Sequence, residues 1–126
     1  MAKLRANGMA LAYELVGDRG SAVVLLHGVG SDRSVWREQL EDLEQDHRAV
    51  ALDFRGHGES DLPQGPVDRA ALAADVLALL DGLDIGAAHL VGLSMGGIVA
   101  LETYRTCPGR VLSLTLADTF ARFPGR

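Results

Sequence analysis

The chain has 126 residues, which corresponds to one domain or to part of one. Its hydrophobic share of 48% and charged share of 23% are typical of globular proteins and argue against disorder and against a membrane protein. The net charge of -5 argues against nucleic acid as a partner, and the single cysteine excludes an internal disulfide and fits a reducing compartment.

No segment has the pattern of a membrane span or of a secretion signal. Apolar runs stay well short of the ~18 residues that a transmembrane helix needs. Near the N-terminus, Asn7, Gly8 and Glu14 interrupt any apolar stretch behind Lys3 and Arg5. The sequence therefore predicts a cytoplasmic protein that does not interact with membranes.

Short apolar runs alternate with longer amphipathic stretches along the chain. The runs predict strands over 9–16, 22–26, 49–52, 88–93 and 111–117. The stretches predict a short helix carrying Trp36, Leu40 and Leu43, a long helix over 68–83 and a third over 98–106. In the long helix, Asp68 and Asp75 are expected to face away from the apolar stripe. This order predicts the α/β class, with a mostly parallel sheet and helices on both faces.

The sequence Gly92-Leu93-Ser94-Met95-Gly96 has the G-x-S-x-G pattern, with an apolar strand before it and an apolar helix after it. This context is typical of a nucleophile elbow, in which a serine stands on a sharp turn between strand and helix. The backbones crowd together at such a turn, so small residues are needed two positions to either side of the serine. The alternative is a glycine-rich turn with a structural serine.

The segment 27–30 follows the strand predicted to be the most buried and is a candidate for the oxyanion hole. Acyl transfer needs two N–H donors aimed at the developing oxyanion. We expect one from Met95 and the other from Val29, while Gly28 lets the backbone approach a ligand closely. His27 is expected to hold this loop by hydrogen bonding rather than to act as a base. The alternative is a plain glycine turn.

Other candidate sites are weaker. The spacing of Asp53, His57 and Glu59 suits no common metal motif, and a polar loop behind the site is the preferred interpretation of this segment. Arg33 stands where a G-x-G-x-x-G fingerprint needs its third glycine, and the chain contains no P-loop pattern. No metal and no cofactor are therefore expected.

Three blocks, over 25–28, 53–60 and 92–97, resemble the N-terminal half of an α/β-hydrolase-fold enzyme of the esterase, lactonase and cofactor-free haloperoxidase type. The segment 114–119 is similar to the strand before the lid in 3-oxoadipate enol-lactonase-like members. The resemblance implies a partial hydrolase domain over 1–126 that ends after about the sixth strand, without the lid and the last strands. It also implies Ser94 as nucleophile, Val29 and Met95 as oxyanion donors, and a small ester, lactone or similar acyl compound as substrate.

The chain departs from this family in its catalytic base. The family order is serine, then an acid, then histidine, but all four histidines precede Ser94, at positions 27, 47, 57 and 89. Of the later carboxylates, Glu102 is expected to point away, and Asp118 is assigned a loop-capping role in preference to that of triad acid. Because loss of the base costs on the order of 10⁶-fold in turnover, little activity is expected from this polypeptide alone.

Two alternatives to an esterase or lactonase stay open. The strand over 111–117 would be an exposed sheet edge, which is a template for pairing with another chain. The protein could then be a non-catalytic half-fold that binds a partner or self-associates. Haloperoxidase or perhydrolase activity at Ser94 and Met95 is the other alternative.

Overall fold

The computed structural model describes residues 1–119. The strands are β1 (Ala2–Ala6), β2 (Met9–Val16), β3 (Ala22–Leu26), β4 (Arg48–Leu52), β5 (Ala88–Leu93) and β6 (Val111–Ala117). The helices are α1 (Arg37–Leu43), α2 (Arg69–Gly82) and α3 (Met95–Thr106), and short 3₁₀ turns cover Arg33–Trp36 and Pro108–Arg110. The predicted domain boundary at residue 126 lies outside the described residues.

The strands form one sheet in the order β1-β2-β4-β3-β5-β6. The pairs β4–β3, β3–β5 and β5–β6 are parallel, while β1 and β2 are antiparallel additions at one end. In the parallel part, β3 lies between β4 and β5, and all five of its residues are buried. The prediction of an α/β fold with a mostly parallel sheet is confirmed.

Helices cover both faces of the sheet. One apolar cluster joins α2 and α3 to the sheet through residues such as Val76, Leu80 and Val99. On the opposite face, Trp36 and Leu40 pack against alternate residues of β3 and β4. Because both faces of β3 are covered, its sequence is continuously apolar instead of alternating.

The first strand was missed by the sequence analysis, although its signal is present. β1 and β2 form a hairpin in which Ala6 pairs with Met9. The two residues between them, Asn7 and Gly8, both have positive φ, at 53° and 79°. An Asn-Gly pair is the preferred chemistry for this two-residue turn, so the dipeptide predicts a hairpin.

The helix after β5 begins three residues earlier than predicted. α3 starts at Met95 and includes Gly96 and Gly97, which have poor helix propensity. Tertiary packing overrides this propensity. A Cβ at position 96 would lie 2.1 Å from the carbonyl oxygen of Leu26. Only glycine therefore lets the first turn of α3 approach β3.

The prediction that Asp75 faces solvent is wrong. Its side chain is fully buried, and its carboxylate accepts hydrogen bonds from Nε and Nη2 of Arg55 at 2.7 and 2.8 Å. Asn7 adds a third hydrogen bond at 2.9 Å. The hydrogen bonds between Arg55 and this carboxylate raise the pKa of the guanidinium above its ordinary value. The carboxylate ties α2 to the loop after β4, a role that helical periodicity alone does not reveal.

In the described part of the chain, β6 pairs with β5 on one side and forms the outer edge of the sheet on the other. Leu112 and Leu116 of this strand are 53% and 37% exposed.

Among the helices formed within residues 1–119, none has the length and apolar character needed to cross a membrane.

The contact between α3 and β3 predicts a specific destabilisation. Gly96→Ala is expected to lower the free energy of unfolding by about 1–3 kcal/mol, because the added methyl group meets backbone that cannot move aside. Gly109→Ala is the matched control, since a Cβ there would meet nothing within 4 Å. Urea unfolding measures both variants, and equal stabilities would contradict the packing argument.

Candidate active site

Ser94 stands on a sharp turn between β5 and α3. Its backbone has φ 55° and ψ -116°, a conformation that is strained for a residue with a side chain. A Cβ at Gly92 would lie 2.4 Å from the carbonyl oxygen of Gly96, so the two glycines permit the turn. The residue is exposed and stands at the N-terminus of α3. The sequence-predicted elbow geometry is therefore present.

Hydrogen bonds from the end of β6 fix this turn. The N–H of Ser94 donates to the carbonyl of Ala117 at 2.8 Å. The carbonyl of Ser94 accepts the N–H of Gly97 at 2.9 Å and the hydroxyl of Thr119 at 2.7 Å. The backbone of Ser94 is thus held from the neighbouring strand as well as from its own helix.

The loop after β3 lies directly beside the serine. A Cβ added to Gly28 would be 3.3 Å from Cβ and 3.8 Å from Oγ of Ser94. Val29, the next residue, is 72% exposed and lines the same cavity as Ser94 and Met95. The structure therefore brings together the three residues that the sequence analysis predicted to be neighbours.

This cavity has a volume of about 580 Å³. Its wall is mostly apolar and includes two charged residues at the start of α2: Val29, Val67, Asp68, Arg69, Leu72, Ser94, Met95, Ile98 and Val99. The sequence analysis missed the contribution of α2. No motif marks these residues, because the packing of α2 against α3 is what brings them to the cavity.

His27 is buried and has both ring nitrogens occupied. Its Nδ1 lies 2.7 Å from the carbonyl oxygen of Gly28, and its Nε2 lies 3.1 Å from the backbone nitrogen of Phe54. A backbone N–H can only donate, so Nε2 accepts, and Nδ1 carries the proton that it donates to Gly28. Burial lowers the pKa of His27 and outweighs the opposing effect of the Gly28 hydrogen bond. This neutral imidazole links the ends of β3 and β4.

The polar loop after β4 is held by a buried carboxylate. Asp53 is fully buried and accepts the backbone N–H of Arg33 at 2.6 Å and that of Glu59 at 3.0 Å. The Arg33 guanidinium makes a salt bridge to the same carboxylate. Ser60 donates to the Asp53 carbonyl at 2.7 Å and accepts the N–H of Ala12 at 2.8 Å. These contacts stabilise the loop after β4, so its polar residues have a structural role.

The described residues do not supply a histidine to the serine. Between positions 1 and 119, no histidine nitrogen is hydrogen-bonded to Oγ of Ser94.

Asp118 follows β6 on the same rim of the sheet, since Ala117 is in register with Leu93. Its side chain is exposed there. Over the same stretch of chain, no group of three or more His, Cys, Asp or Glu side chains could hold a metal ion.

Comparison with known proteins identifies the family of the chain. The model of the alpha/beta hydrolase fold family matches residues 21–125. A solved enol-lactonase from Burkholderia xenovorans superposes with a TM-score of 0.92 and 35% sequence identity, over 96% of this chain and 48% of that chain. The fold and the elbow define an α/β hydrolase. The chain belongs to the alpha/beta hydrolase family.

Curated relatives are longer than this chain. A dihydrolipoyllysine-residue acetyltransferase component of an acetoin cleaving system from Pseudomonas putida is 47% identical, over 82% of this chain and 28% of its own length. The 3-oxoadipate enol-lactonase 1 of Acinetobacter baylyi is 35% identical, over 92% of this chain and 44% of its own length. The chain thus spans less than half the length of these relatives.

The buried neutral state of His27 predicts a pH-dependent stability. The unfolded imidazole titrates near its ordinary pKa of 6.5, whereas the folded pKa is lower. As the pH falls below 6.5, the unfolded chain takes up the proton first, so the free energy of unfolding decreases. The slope reaches at most about 1.4 kcal/mol per pH unit and levels off below the folded pKa.

His27→Gln keeps one donor and one acceptor without titrating, so its unfolding free energy should fall less steeply on acidification. Urea unfolding of both proteins at several pH values, from above the ordinary pKa of 6.5 to below it, measures this effect. Parallel profiles for the two proteins would show that His27 is not the group responsible.

Proposed function

We propose that this chain provides the nucleophile and the oxyanion hole of a serine hydrolase that acts on a small ester, lactone or similar acyl compound. The observation that carries the proposal is the exposed Ser94 on its strained turn, beside Val29 and Met95 in one cavity. Strained backbone at a ligand-accessible position is typical of functional sites. The largely apolar wall suits the acyl part of a substrate.

In the proposed reaction, Oγ of Ser94 forms a bond to the acyl carbon while its proton passes to a general base. The carbonyl π electrons move to the oxygen, where the N–H groups of Met95 and Val29 donate hydrogen bonds. Collapse of this intermediate restores the carbonyl and breaks the bond to the leaving oxygen, which takes up the proton. Water then attacks the acyl-serine by the same steps and releases the acid.

The general base in this proposal is a histidine outside the 126 residues. His27 cannot serve, because its Nε2 lone pair already accepts the N–H of Phe54. Without a base, the oxyanion hole and substrate binding together leave a rate of about 10³–10⁴ over water. At Ser94 itself the chain alone should react slowly, because a serine hydroxyl without a general base is a weak nucleophile.

Covalent labelling tests this assignment. A fluorophosphonate probe is expected to modify the folded chain slowly at Ser94, and added imidazole should accelerate the reaction by standing in for the missing base. Peptide mass spectrometry locates the label, and Ser94→Ala should abolish it.

Ser113→Ala is the matched control in this experiment. Oγ of Ser113 lies 2.7 Å from Nδ1 of His89, so this exposed serine also has an imidazole beside it. Removal of the Ser113 hydroxyl should leave the labelling rate unchanged. A folded chain that resists the probe in the presence of imidazole, or equal labelling of Ser94→Ala, would refute the proposed nucleophile.

We propose a second function for the outer edge of β6, which pairs with no other strand of residues 1–119. An unpaired strand edge presents N–H and C=O groups that can pair with a strand of another chain. The exposed Leu112 and Leu116 add apolar area to this edge. The proposed partner is a second copy of the chain, which offers the same strand.

Self-association through β6 predicts a concentration-dependent mass. Replacing Leu112 and Leu116 together by lysine should shift the chain toward monomer, because two charges oppose edge pairing. Leu62→Lys, at a side chain that is 76% exposed elsewhere on the surface, is the control and should change nothing. Size-exclusion chromatography with light scattering gives the masses. A monomeric parent chain at all concentrations would exclude this interface.

A further inference from the structure

One peptide group joins the nucleophile of the proposed reaction to its oxyanion hole. The carbonyl of Ser94 and the N–H of Met95 belong to the same planar unit, in which the two bonds point in opposite directions. Whatever fixes the direction of this carbonyl therefore also fixes the direction of the N–H. In the proposed function, the N–H of Met95 donates to the developing oxyanion, and such stabilisation depends on a donor that is already aimed at the right place.

Thr119 binds the carbonyl end of this peptide group. Its hydroxyl donates to the carbonyl oxygen of Ser94 at 2.7 Å, which is the usual length for a hydroxyl donor. The two residues are 25 positions apart in the chain. The contact therefore connects the turn to the segment after β6 and is independent of the hydrogen bonds within α3.

The helix by itself holds the carbonyl of Ser94 weakly. The regular α-helical hydrogen bond, from the N–H of Ile98, is long at 3.4 Å, whereas bonds of this kind cluster at about 2.9–3.0 Å. The shorter bond, from the N–H of Gly97 at 2.9 Å, joins residues only three apart. Gly96 and Gly97 also have the freest backbones of all residue types. The hydroxyl of Thr119 adds a constraint that the first turn of α3 lacks.

The backbone before Thr119 directs its side chain onto the turn. Asp118 has φ 49°, in the left-handed region, and so changes the direction of the chain at the end of β6. On one side of Asp118, the carbonyl of Ala117 accepts the N–H of Ser94 at 2.8 Å. On the other side, Thr119 donates to the carbonyl of the same serine. The segment 117–119 thus binds both polar backbone groups of Ser94.

Gly97 provides the space for the Thr119 side chain. A Cβ at position 97 would lie 2.5 Å from Cγ2, 2.7 Å from Cβ and 2.8 Å from Oγ1 of Thr119. Packed atoms do not approach so closely, so the absence of a side chain at Gly97 lets the threonine lie against α3. This packing restricts the Thr119 side chain and keeps its hydroxyl directed at Ser94.

We propose that Thr119 is a positioning residue that orients the peptide group between Ser94 and Met95, and through it the oxyanion donor. This inference rests on the proposed function, since the N–H of Met95 is an oxyanion donor there. The hydrogen bond to the carbonyl also polarises the peptide group, which strengthens its N–H as a donor. Because the oxyanion forms only in the transition state, the contribution of Thr119 affects the reaction step and not the binding of a neutral ligand.

Labelling kinetics test the role of the hydroxyl. With imidazole present, Thr119→Val is expected to lower the labelling rate at saturating fluorophosphonate about fivefold, which corresponds to the loss of one neutral hydrogen bond. The probe concentration that gives half of the maximal rate should not change. Thr119→Ser keeps the hydroxyl and should restore most of the rate. Thr115→Val, the same replacement at an exposed position of β6, is the matched control and should label at the parent rate.

NMR tests the same contact without any reaction at Ser94. The ¹³C resonance of a carbonyl moves upfield when the carbonyl loses a hydrogen bond. The Ser94 carbonyl signal should therefore move upfield in Thr119→Val and stay near its parent position in Thr119→Ser. The amide proton of Met95 should move with it, because the peptide group is less polarised. If Thr119→Val does not fold, Thr119→Ala replaces it, since it removes the hydroxyl and adds no bulk.

A parent-like labelling rate in Thr119→Val, or an equal loss of rate in Thr119→Ser, would overturn the positioning role. An unmoved Ser94 carbonyl signal in Thr119→Val would do the same. Failure of the proposed function gives a different result. The expected NMR shifts together with an unlabelled parent chain would reject Ser94 as the nucleophile and leave the orientation of the peptide group by Thr119 standing.

Discussion

The close approach of α3 to the sheet is the constraint on which the rest of the site depends. Cβ atoms at Gly92 and Gly96 would lie 2.4 and 2.1 Å from backbone oxygens, distances that folded proteins do not tolerate. The absence of side chains at these two positions lets the chain reverse within one residue. That reversal places Ser94 in its strained conformation, on the surface, and at the start of a helix.

The strain at Ser94 is offset by contacts that lie outside the turn. Hydrogen bonds to Ala117 and from Thr119 attach its backbone to the end of β6, and Gly28 packs against its side chain. His27 in turn links the loop of Gly28 to β4 through Phe54. Three neighbouring strands therefore contribute to holding the backbone at this one position.

Electrostatics divides the charged groups into two kinds. Asp53 and Asp75 are fully buried. Asp53 accepts from the Arg33 guanidinium and from two backbone N–H groups, and Asp75 accepts from Arg55 and the side-chain amide of Asn7, so both carboxylates stabilise loops near the site. Arg69 shares its carboxylate partner with Arg105 and lines the cavity. A buried ion pair that is fully hydrogen-bonded has a structural role.

The sequence by itself determined the fold class, the parallel sheet and the elbow around Ser94, because these follow from local patterns of apolar runs and glycines. It also indicated that Val29 and Met95 would meet the serine, since the carboxyl ends of parallel strands share one rim. The tertiary structure alone decided the burial of Asp75, the early start of α3 and the placement of Arg69 in the cavity wall. These depend on contacts between elements far apart in the chain, which periodicity and propensity do not encode.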